Sequence, residues 1–74
     1  MSKLPSFTPK QVIQKLQKLG FVKDHQTGSH IVMFNPNNKK RVVVPYHLKD
    51  LPKGTLATIL RESGISRQLF LSNK

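Results

Sequence analysis

Gly28-Ser29-His30 opens a short apolar run, Ile31 to Phe34, and its histidine is the side chain best suited to acid–base chemistry in this sequence. Imidazole titrates near neutrality, and a ring carried on strand backbone is held in place. Around it stand 13 Lys+Arg against 3 Asp+Glu, a formal net charge of +10. A cationic field of that size gathers polyanions, so the implied chemistry is proton transfer beside a phosphodiester. Cleaving RNA requires a base for the ribose 2′-hydroxyl, an acid for the leaving 5′-oxygen and positive charge near the phosphorane. His30 is the candidate base.

Two further histidines are auxiliary candidates. If Thr27-Gly28 forms a two-residue turn, His25 lies directly opposite His30, with Cβ atoms about 4.5–5.5 Å apart. A three-residue loop with Gly28 left-handed shifts that register by one, and the sequence leaves both open. His47 follows Pro45 at the exit of a valine-rich segment and could supply the acid if that exit lies near the hairpin. Strict alternation puts Lys23 on the face of His25, as the nearest cation, and turns Asp24 away. Lys23, Lys39, Lys40, Arg41 and Lys53 are the cations expected to contact RNA. Three histidines and three acidic residues show no metal-ligand spacing and no cysteine joins them, so metal-independent cleavage without a cofactor is expected. Gly54-Thr55, at the start of a helical segment, suits either a phosphate contact or a tight helix start.

These side chains must be carried by a small set of elements. Thr8 as N-cap, Pro9 at the first helical position and Gln11 three residues after Thr8 make a capping-box pattern. Val12, Ile13, Leu16 and Leu19 follow at helical spacing until Gly20 stops the helix. Residues 21–26, 29–35 and 41–46 read as strands, with Asn35-Pro36-Asn37-Asn38 a turn between the last two. Pro52 opens a second helix carrying Leu56, Ile59, Leu60 and Ser63 to a stop at Gly64, and Ser66 caps a final turn or two with Leu69 and Phe70. The order α-β-β-β-α predicts an α+β two-layer sandwich, a three-stranded antiparallel sheet with the helices on one face. If His30 points outward, Val32 and Phe34 accompany it on the open face.

Length bounds the rest. At 74 residues the chain is expected to form a single domain over residues 1–74 with a small core. No cysteine is present, so neither disulfides nor thiolate metal sites contribute. The longest apolar run, Ile31 to Phe34, is far too short for a membrane span, and a cytoplasmic protein without membrane contact is expected. The basic residues are spread along the chain, which fits a folded basic surface better than a disordered arm.

Gly20-Phe21, Gly28-Ser29-His30, Val44-Pro45-Tyr46-His47, Pro52-Lys53-Gly54-Thr55-Leu56 with Ile59-Leu60, and Gly64-Ile65-Ser66 stand in an order and spacing that resemble the HicA (YcfA-like) toxins of toxin–antitoxin systems. The resemblance covers almost the whole chain. It implies a fold like that of double-stranded-RNA-binding domains, endoribonuclease activity on messenger RNA, and neutralisation by a HicB antitoxin. It further implies that the histidine of the Gly-Ser-His motif, here His30, is catalytic. His25 departs from the family's pattern, which often has a basic residue there. The alternatives to a nuclease are a non-catalytic RNA-binding module and a basic partner for an acidic protein. A fold alone does not choose among them.

Overall fold

The computed structural model describes residues 5–47 and 49–72. Its first element, α1 (Pro9–Lys18), begins with both halves of the capping box in place. Thr8 N–H donates to Gln11 Oε1 at 2.9 Å, and Gln11 N–H donates to Thr8 Oγ1 at 3.2 Å. Two of the free donors at the helix start are thereby satisfied. Lys15 and Lys18 lie in the last turn, where the helix dipole favours cations.

Gly20 ends this helix with φ +100°. An L side chain there costs about 1–2 kcal/mol in backbone terms alone. A Cβ would also stand 3.3 Å from Nδ2 of Asn35. Asn35 is buried and its Oδ1 accepts from Asn37 N–H at 2.9 Å, so it cannot swing clear without losing the turn that leads into the third strand. Gly20→Ala is therefore expected to lower the melting temperature by roughly 4–8 °C per kcal/mol, readable by thermal circular dichroism.

Three strands follow, β1 (Val22–Thr27), β2 (His30–Phe34) and β3 (Arg41–Pro45), paired antiparallel in the order β1-β2-β3. The chain then forms α2 (Lys53–Ser63), closed by left-handed Gly64, and α3 (Arg67–Ser72), whose Leu69 N–H is capped by Ser66 Oγ at 3.1 Å. The elements agree with the sequence pattern, each strand boundary differing by a residue or so. The architecture is the α+β one, with helices covering one face of an antiparallel sheet.

Burial identifies that face. Ile31 and Met33 of β2 and Val42 and Val44 of β3 join Val12 and Leu16 of α1, Phe21, Leu56, Ile59 and Leu60 of α2, and Phe70 of α3 in one core. The alternate residues, His30, Val32 and Phe34 with Arg41, Val43 and Pro45, thus occupy the other face. Ser63, fully buried in α2, donates to Leu60 O at 2.9 Å and accepts from Ile65 N–H at 3.3 Å, so its hydroxyl stabilises the helix end.

Candidate active site

The turn that presents His30 is Gly28-Ser29, with Thr27 paired to His30. Gly28 has φ +58° and Ser29 does not share the left-handed region, the pattern of a hairpin turn with glycine at its first central position. This corrects the Thr27-Gly28 turn, which would have required threonine at a left-handed position. His25 consequently pairs with Val32 and does not lie opposite His30. The two histidines are diagonal neighbours on one face, a relation that separates Cα positions by about 7–8 Å.

His30 is exposed on the central strand, between Thr27 on one side and Pro45 on the other. Continuing the register gives a grid on the open face. His25, Val32 and Val43 form its second row, and Val22, Phe34 and Arg41 its third. Val32 is only 8% exposed although it lies outside the helix-side core, because its neighbours in this grid enclose it.

A register shift between Lys23 and His25 changes what alternation implied for β1. A bulge inserts one residue and re-aims the side chains around it. Lys23 pairs with Met33 and so belongs to the helix side, across the sheet from His25, contrary to the alternation argument. Asp24, expected to point away, instead contacts its neighbour: Oδ2 is 2.7 Å from Nδ1 of His25 and 2.7 Å from Nη1 of Arg41. Arg41 crosses Phe34 to reach it, with Cζ 4.7 Å from the ring centroid. Asp24 is the functional candidate that the sequence did not reveal, since nothing in the residue types marks the bulge.

The hydrogen bonds from His25 and Arg41 hold the Asp24 carboxyl below its usual value of 3.8. The carboxylate is therefore charged throughout the range in which imidazole titrates. A depressed folded-state pKa contributes stability above the unfolded value and loses it as pH falls through the folded one. Carboxyl carbon shifts of Asp24 followed by NMR are expected to give a midpoint below 3.8, and Arg41→Ala to move it upward.

The remaining candidates are distributed over other surfaces. Ser29 O accepts Tyr46 N–H at 2.6 Å, so the end of β3 does lie at the hairpin, and His47 follows one residue later, exposed. Lys39 and Lys40 sit in the β2–β3 turn, at the opposite end of the strands from His30. Lys53 is exposed at the first position of α2, next to Gly54 and Thr55. On the helix side, Lys10, Gln14, Lys23, Gln26 and Tyr46 surround a cleft of about 420 Å³ with Ile13 and Ile31 in its lining. Lys23 Nζ donates to Gln26 Oε1 there at 3.1 Å. The cleft joins α1, β1 and the hairpin end, a combination that required the tertiary structure to find.

Among the described residues no three His, Asp or Glu side chains gather to hold a metal, and no helix is long and apolar enough to cross a membrane. Comparison with protein families matches residues 9–65 to the family described as HicA toxin of bacterial toxin-antitoxin. That segment runs from the start of α1 past the end of α2 and contains the whole sheet. No curated protein matches the chain significantly.

Proposed function

The chain belongs to the HicA toxins of bacterial toxin–antitoxin systems, and from that premise we propose that it is an endoribonuclease whose catalytic base is His30. Membership makes it a toxin with an antitoxin partner. The observation that carries the catalytic reading is the exposed imidazole of His30 on the central strand of a chain with net charge +10. Neutral His30 takes the 2′-hydroxyl proton, the 2′-oxygen attacks phosphorus, and the bond to the 5′-oxygen breaks. The products are a 2′,3′-cyclic phosphate and a 5′-hydroxyl. In this scheme His30 activates the substrate's own hydroxyl, so no metal-bound hydroxide is needed as the nucleophile.

Several surfaces support RNA as the polyanion. Lys10 and Lys23 flank the helix-side cleft, whose Tyr46 is one residue from Pro45, the strand partner of His30. A strand passing His30 can therefore continue along that cleft, with phosphates on the lysines and a base against the tyrosine. Lys39, Lys40 and Lys53 extend the cationic surface, while Arg41 acts mainly through Asp24. Messenger RNA is the proposed substrate, and a HicB-type antitoxin is the proposed partner. Covering His30 and the open sheet face, where Val22 and Val43 are exposed, would give it a steric block with an apolar footing.

The test is incubation of purified protein with labelled single-stranded messenger RNA and its deoxy counterpart, with a chelator present. Cleavage of RNA to cyclic phosphate ends, with the deoxy strand intact, is expected. RNA that is bound in a salt-dependent way but left uncut would replace the nuclease by a non-catalytic RNA-binding module.

A further inference from the structure

In-line cleavage places the attacking and departing oxygens on opposite sides of phosphorus. A base and an acid serving one phosphodiester must therefore be separated by the width of a phosphate plus a hydrogen bond of about 2.6–3.2 Å on each side. Directly opposed cross-strand histidines, with Cβ atoms about 4.5–5.5 Å apart, crowd that space, whereas a diagonal pair opens it. His25 is the diagonal neighbour of His30 on the open face. Its ring is also held: Nδ1 lies 2.7 Å from Asp24 Oδ2, and Asp24 is fixed in turn by Arg41 at 2.7 Å. A carboxylate on Nδ1 sets that nitrogen as the proton-bearing donor and directs Nε2 outward. His25 is nevertheless accessible, with its side chain 56% exposed.

We infer that His25 is the general acid of the cleavage reaction, with Asp24 and Arg41 as its positioning residues. The inference rests on the nuclease reading of His30. As the bond from phosphorus to the 5′-oxygen breaks, His25 imidazolium gives its Nε2 proton to that oxygen, leaving neutral His25 and a 5′-hydroxyl. His30 meanwhile holds the proton taken from the 2′-hydroxyl, and exchange with water restores both rings. The charged and titratable groups placed on this face around His25 are Asp24 on its own strand, His30 on β2 and Arg41 on β3. His47, beyond the end of β3, is the rival acid.

The experiment compares wild type, His25→Ala, His30→Ala, His47→Ala and Asp24→Asn on one RNA and on the same RNA with sulfur replacing the 5′-oxygen at its mapped cleavage site. A thiolate leaves without a proton. His25→Ala is expected to lose about 10²-fold or more in kcat on the oxygen substrate, far less on the sulfur one, and the alkaline limb of the pH profile. Asp24→Asn is expected to lower kcat with KM little changed, and His30→Ala to lose activity on both substrates. Wild-type cleavage by His25→Ala, or an equal loss on both substrates, overturns the assignment, as does transfer of the alkaline-limb effect to His47→Ala. Each of those outcomes leaves the His30 reading standing. Failure of the wild type to cut RNA removes both.

Discussion

Replacing His30 with alanine is expected to reduce RNA cleavage by about 10²–10⁴-fold, the usual contribution of a positioned base. The substitution removes an exposed side chain, so the fold has little to lose: surface changes away from caps and cores usually stay within about 0.5 kcal/mol. Unchanged circular dichroism and melting, together with lost cleavage, would separate chemistry from stability. The size of the loss is also informative. A base alone makes a modest nuclease, so activity remaining in His30→Ala would measure what positioning and the cationic surface contribute. A His30→Ala variant that cuts as fast as wild type would place the base elsewhere, and the grid of the open face leaves His25 as its nearest histidine neighbour. Salt supplies an independent check, because phosphate contacts made by Lys10 or Lys23 weaken as ionic strength rises while the proton-transfer step does not.

The helices were legible in the sequence because they rest on local rules, whereas alternation left open which face of the sheet His30 takes until the burial of Ile31 and Met33 decided it. Capping residues, 3.6-residue spacing and glycine stops act within a few positions, and Thr8, Gln11 and Gly64 behave as those rules require. The arrangement around His30 was less legible because strand geometry depends on register. Gly28 marks a turn, but whether it takes the first or second central position moves the facing partner of each β1 residue by two along β2, from His30 to Val32 for His25. The bulge before His25 then reverses the alternation that assigned Lys23 to its face and turned Asp24 away. Both features are expressed only in the pairing of β1 with β2, and Arg41 reaches Asp24 from 17 positions away, a contact that no local pattern announces. The helix-side cleft was hidden for the same reason: Lys10 of α1, Lys23 of β1 and Tyr46, just past β3, meet only after the sheet has folded onto α1.

Phe70→Ala is expected to destabilise the domain by about 3–5 kcal/mol, the range for truncating a fully buried aromatic side chain. A chain of this size has a total stability of roughly 4–11 kcal/mol, so the loss takes from about a quarter to all of it. Phe70 is 0% exposed although α3 has only the six residues Arg67–Ser72 and lies outside the segment matched by the family. Its ring packs edge-on against Phe7, with centroids 5.3 Å apart, and its carbonyl accepts from Lys15 Nζ at 3.2 Å. The same ammonium sits 5.3 Å from the Phe70 ring and 5.5 Å from Phe7, so one lysine of α1 joins the two ends of the described chain. A helix of this length is too short to form alone, and burial of Phe70 is what holds it. At about 4–8 °C per kcal/mol, the melting temperature should fall by more than roughly 12 °C. Leu69→Ala provides the control, since Leu69 is 47% exposed and its removal should cost far less. Equal melting of the two variants would mean that α3 is not docked in solution. Docked, it anchors the end of α1 that carries Lys15, on the side of the sheet opposite His30, so a loss of cleavage in Phe70→Ala should follow the fraction unfolded and vanish on cooling below the transition.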